Sequence, residues 1–167
     1  MNNAEYQQAL ETALALLERA EADEALARER EQKGYDPAEV MHCGFEWGGI
    51  DCYTCETMPE CDLLLREYED QTKAIFNTAW TGYQEALATL RNLVAAHDAP
   101  IVWRLLARTL MNIDVHPNNM DKSPADLYWE AQYWYLRLYY EAGVEDAFEK
   151  AKYCEAFRHA TVRLIEE

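Results

Sequence analysis

Four cysteines crowd into one stretch as Cys43-x8-Cys52-x2-Cys55-x5-Cys61, the arrangement in this 167-residue chain whose residue types and spacing best match a defined inorganic chemistry. The two sulfurs of a CxxC reach a single ion, and thiolates at about 2.3 Å suit tetrahedral Zn²⁺. Gly44, Gly48 and Gly49 let the loop bend, while the stretch from His42 to Glu60 has too few apolar side chains to hold itself without a staple. Cys61 falls in the first turn of an expected helix, where exposed N–H groups favour a thiolate. Four cysteines close the coordination shell and leave no position for water, so the expectation is structural zinc rather than catalytic zinc. His42 is an alternative ligand to Cys43. Free or redox-active thiols, an iron–sulfur cluster and disulfides are the competing readings of the same four residues.

Other catalytic chemistries find little to work with. The single serine, Ser123, precedes Pro124 and suits a helix cap better than a nucleophile. No GxGxxG or GxxxxGK[ST] is present to cradle phosphates. Cys154 and His159 lie five apart on one expected helix and diverge around it, and Glu155 with His159 reads as a salt bridge, because a di-iron bundle needs two Glu-x-x-His pairs. The remaining enzyme idea is an all-α magnesium-dependent nucleotide pyrophosphatase, with Glu21-x-x-Glu24 and Glu67-x-x-Asp70 holding Mg²⁺ from two helices. No basic cluster accompanies them to meet phosphates. The chain is therefore expected not to be an enzyme.

Helical periodicity positions these residues. Leu10, Ala13, Leu14, Leu17 and Ala20 predict a helix from 4 to about 32, its second half from Glu21 to Lys33 charged, alanine-rich and solvated. Asp36-Pro37-Ala38-Glu39 predicts a short helical turn over 37–42, followed by loop. Thr57-Met58-Pro59-Glu60 is a capping box that opens a long helix. Its seam runs through Thr72, Phe76, Ala79, Tyr83, Leu87 and Leu90 to about His97, with a break conceivable near Glu69–Thr72 or at Gly82. Asp98 is expected to cap the next helix, which ends before the loop at 114–119. A helix over 124–142 stops at Gly143, and 144–167 forms the last. The helix at 124–142 is apolar on two sides: Trp129, Tyr133, Leu136 and Tyr140 share one face, Leu127, Tyr128, Ala131, Tyr135, Leu138 and Tyr139 another. It reads as a central helix packed between neighbours, or as one that offers an aromatic face to a partner.

The expected fold is all-α, about five helices in an antiparallel bundle-like array. One helix is long, and a zinc-stapled loop joins the first two major helices. Residues 1–167 form a single helical domain with 36–61 as a cysteine-rich zinc-binding insertion.

Charge bounds the partners. The formal net charge is −16, so direct nucleic-acid binding and anionic membrane surfaces are disfavoured. Residues 1–70 carry net −13 and residues 71–167 net −3. No apolar run reaches the roughly 18 residues of a membrane span and no basic, apolar leader opens the sequence, so a cytoplasmic location is expected. Function then rests on surface. The leading expectation is a protein-binding module whose acidic lobe engages a basic protein, itself a nucleic-acid binder. Glu46, Asp51, Glu56, Glu60, Asp62, Glu67, Glu69 and Asp70 would make the contacts, with Trp47 and Tyr53 as anchors. Small acidic phage-encoded inhibitors, anti-CRISPR proteins among them, work in this manner, a likeness of charge and size only. The alternative is an adaptor or assembly subunit that binds through the aromatic helix 124–142, and homo-oligomerisation through those aromatics fits the sequence equally.

Overall fold

The computed structural model describes residues 1–35, 58–119 and 124–166. Five helices account for nearly all of these residues: α1 (Asn3–Lys33), α2 (Met58–Ala96), α3 (Pro100–Asp114), α4 (Pro124–Ala142) and α5 (Asp146–Glu166), with no strand among them. The predicted turn at 37–42 lies outside the described residues.

α1 begins where a side chain replaces the missing intrahelical partners. The Asn2 Oδ1 accepts the Glu5 N–H at 2.9 Å, and the Glu5 carboxylate accepts the Asn2 N–H at 2.8 Å. It ends at Gly34, and α4 ends at Gly143, both at φ +68°, where a residue with a Cβ would be strained. α2 runs unbroken for 39 residues, about 58 Å at 1.5 Å per residue. Gly82 is no break. A Cβ there would meet the Ala20 Cβ at 3.0 Å, so this glycine marks a close approach of α1 and α2.

α1 and α2 pair along their lengths, residue numbers rising on one as they fall on the other. Tyr6 stacks on His97, Glu24 meets Tyr83, and Arg30 meets Thr72. Small side chains at Ala13, Ala20, Ala27, Ala79 and Ala86, all essentially buried, let the two backbones come close. α3 covers one side of this pair with Val102, Leu106, Leu110 and Ile113, and α4 and α5 follow with Leu127, Ala131, Leu138, Ala151 and Cys154 in the same core. Burial of this kind supplies most of the stabilisation of a helical array, at roughly 25 cal/mol per Å² of apolar surface.

Two local expectations are corrected. Asp98 is not the cap of α3. Ala99 is the N-cap, with no side-chain bond, while the Asp98 carboxylate is taken by Arg137 at 2.9 and 2.8 Å and by the Trp103 indole N–H. The second half of α1 is not wholly solvated either, since Glu24 and Ala27 are buried against the rest of the molecule.

Candidate functional site

α4 carries two apolar faces, and only one is covered. Leu127, Tyr128, Ala131, Tyr135 and Leu138 are buried and Tyr139 beside them is half-buried, whereas Trp129, Tyr133 and Tyr140 on the other face are 62%, 51% and 72% exposed, with Leu136 half-buried between them. Side chains at 129, 133, 136 and 140 fall on one helical face by their three-and-four spacing, so these rings form a stripe rather than scattered contacts. From α5, Phe157 stacks on the buried Tyr128 at 5.4 Å and on Tyr153 at 4.5 Å, extending the aromatic surface to Tyr153, itself half exposed. A hollow of about 230 Å³ is lined by Trp129, Gln132, Tyr133, Leu136 and Glu155.

Ionic contacts fix this helix in place. Arg137 lies over the Trp103 ring at 4.0 Å and pairs with both Asp98 and Glu141, which holds the start of α3 against α4. Arg91 of α2 bonds Glu130 at 2.6 Å. These polar residues are the stripe that separates the two apolar faces of α4.

A second grouping lies inside the molecule. The Tyr83 hydroxyl donates to Glu24 Oε2 at 2.7 Å, and Arg28 donates to Glu24 Oε1 from Nε and Nη2 at 2.8 and 2.6 Å. Burial and the Glu24 carboxylate push the Tyr83 phenol far above its ordinary range, so it stays a donor. Glu21 receives both Arg108 and Asn112 of α3. His116 is 3% exposed and boxed by the rings of Phe76, Trp80 and Tyr83 at 5.8, 5.2 and 5.9 Å. Burial lowers its pKa, against an opposing pull from Glu24. In the sequence His116 falls in the loop at 114–119, where nothing marks it for a role. No spacing marks a loop histidine as buried, and the three rings around it come from a helix 33 or more residues earlier.

The carboxylates of the magnesium reading do not converge. Glu21 and Glu24 are each neutralised by an arginine, while Glu67 and Asp70 lie on exposed turns of α2, Asp70 some 20 Å along the axis from the Tyr83 that meets Glu24. Among the described residues no group of three or more His, Cys, Asp or Glu side chains is placed to hold a metal ion. Of the predicted zinc ligands, Cys43, Cys52 and Cys55, with His42, lie outside the described residues. Cys61 is buried in the first turn of α2. Cys154 is buried too, its thiol 3.5 Å from the Met111 sulfur and pushed up to about 11 by burial. Among the predicted partner contacts, Glu46, Trp47, Asp51, Tyr53 and Glu56 lie outside the described residues. Glu60, Glu67, Glu69 and Asp70 are exposed along the first turns of α2, and Asp62 is half-buried.

A cleft of about 680 Å³ opens beside that acidic stretch, with Arg30, Tyr68, Thr72, Lys73, Phe76, Asn77 and Asn118 in its walls. Arg30 lies over the Tyr68 ring at 4.2 Å and donates to Thr72 at 3.2 Å. Among the described residues no helix is long and apolar enough to cross a membrane. The chain matches no family model, no curated protein and no solved structure.

Proposed function

We propose that this chain is a non-enzymatic protein-binding module that meets its partner through the aromatic face of α4. The observation that carries this reading is the row Trp129, Tyr133 and Tyr140, each more than half exposed on a helix that buries Leu127, Tyr128, Ala131, Tyr135 and Leu138 on its opposite face. Exposed rings in such a row leave apolar area in water at roughly 25 cal/mol per Å², a cost that a partner would recover. Aromatic anchors of this kind dominate interface energetics.

The test is capture of a partner from the native host by wild type and by Trp129→Ala/Tyr133→Ala/Tyr140→Ala at about 50 mM and about 500 mM salt. The reading expects one partner retained at both salts by wild type and lost by the variant. Equal retention by the variant overturns it. The mass of the free protein separates a second copy from a different partner.

A second reading, favoured by a separate observation, is that the acidic stretch of α2 engages a basic protein, as an inhibitor occupying a nucleic-acid-binding surface would. Glu60, Glu67 and Glu69 are exposed and make no ion pair among the described residues. Such binding would fall steeply between the two salt concentrations and would survive the aromatic substitutions.

Structural zinc on Cys43, Cys52, Cys55 and Cys61 belongs to the same proposal, supported by the ligand spacing and by burial of Cys61 at a helix start. Zinc in the purified protein, with a Tm lowered by chelator, is the expected result; no metal and an unchanged Tm would sink it.

A further inference from the structure

The two ring nitrogens of His116 differ: one accepts a backbone hydrogen bond and the other is buried without one, so a second proton can enter only by disrupting the bond that exists. The Nδ1 accepts the backbone N–H of Asn118 at 3.1 Å, which places the proton of the neutral ring on Nε2. That Nε2 is buried and has no hydrogen-bond partner among the described residues. A proton added to the ring must therefore go to Nδ1, where it would face the Asn118 N–H, donor against donor, in a site 3% exposed. We propose that His116 is an acid-sensitive latch: neutral, it holds segment 115–119 against α1 and α2, and protonated, it leaves its ring box and releases the segment.

Three further bonds define what the latch holds. Arg28 of α1 donates to the Val115 carbonyl at 3.0 Å, Asn118 donates to the Asn77 side chain of α2 at 2.6 Å, and the Asn119 N–H bonds the His116 carbonyl at 3.0 Å. Pro117 and Asn118 also form part of the wall of the 680 Å³ cleft, so release of the segment opens that side.

The groups facing His116 set the balance. From α1, Glu24 favours the protonated ring and Arg28 opposes it, and the Glu24 charge is already shared between Arg28 and the Tyr83 hydroxyl of α2. The Phe76 carbonyl of α2 also favours the proton, whereas the Phe76 and Trp80 rings carry no charge. Asp114, at the end of α3, turns its carboxyl to Tyr128 of α4. Desolvation is the largest influence and lowers the folded pKa. A lowered folded pKa means that the histidine's contribution is intact above the unfolded value near 6.5 and is lost as pH falls toward the folded one.

Amide hydrogen exchange on the full chain, followed by NMR between about pH 7.5 and about pH 5, tests the latch. After correction for intrinsic rates, exchange at Asn118 should rise about tenfold per pH unit below about 6.5, with α2 amides unaffected. In His116→Gln, which cannot titrate in this range, the same amide should show no step. Flat protection in wild type, or an identical step in His116→Gln, overturns the proposal. Should that variant not fold, titration of the His116 ring in wild type decides: a midpoint below that of free imidazole is expected, and one at or above it overturns the latch.

Discussion

Asp114 and His116 sit two residues apart at the end of α3, and burial pushes their pKa values in opposite directions. The Asp114 carboxyl is raised by desolvation, only partly offset by the Tyr128 hydroxyl, and its Oδ1 is buried without a partner among the described residues. A raised folded pKa means that its contribution is favourable in acid and is lost as pH rises through the folded value. Asp114→Asn should therefore unfold at a higher urea concentration than wild type at pH 7, and the gain should shrink as the pH is lowered through the carboxylate range. Tyr83 behaves differently, because its hydroxyl completes a satisfied set. Tyr83→Phe leaves Glu24 Oε2 without its 2.7 Å donor in a buried place, and a loss of about 1–2 kcal/mol in urea unfolding is expected with an unchanged m-value. An unchanged midpoint would mean that water replaces the hydroxyl.

At the scale of elements, the close approach of α1 and α2 depends on side chains that are nearly absent. Gly→Ala inside a helix normally gains about 1 kcal/mol, but at Gly82 the new methyl would stand 3.0 Å from the Ala20 Cβ, which moves only if α1 moves. Overpacking of about 1–3 kcal/mol should outweigh the propensity, so Gly82→Ala is expected to lose about 1 kcal/mol net, and Ala20→Gly should restore it in a double-mutant cycle. The helices themselves were legible in the sequence, because apolar spacing near 3.6 is a local signal. The long seam through Phe76, Tyr83 and Leu90 points to one helix for that reason, and the break left open at Gly82 does not occur. What the sequence concealed were long-range pairings. Asp98 reads as a cap until Arg137, 39 residues on, takes its carboxylate. Glu24 looks like one more surface acid until Tyr83, 59 residues on, reaches it. The two apolar faces of α4 were legible as faces, but which one meets water depended on where α3 and α5 lie.

At the scale of the whole molecule, charge and aromatic surface are segregated along the chain. Residues 1–70 hold net −13, and the aromatic face of α4 and α5 belongs to the part that holds net −3. Residues 124–167, which carry the rings, hold nine acidic and five basic side chains, so a partner drawn to them meets a less acidic stretch than residues 1–70, whose charge adds self-repulsion that the core must withstand. Part of that repulsion is already neutralised where α1 packs, by Arg108 on Glu21 and Arg28 on Glu24. Among the described residues the exposed acidic turns of α2 have no such relief beyond Asp70 with Lys73 at 3.9 Å. Screening should act where pairing does not. The Tm of the free protein is expected to rise by a few degrees, about 2–4 °C for each kcal/mol, when NaCl is raised from about 20 mM to about 300 mM. Glu67→Lys/Glu69→Lys should raise the low-salt Tm and flatten that dependence, since both positions face water and neither makes an ion pair within the described residues. A salt-independent Tm in wild type would mean that the acidic residues repel one another less than their number implies. The acidic reading of the binding surface would then lose its physical basis along with the stability argument.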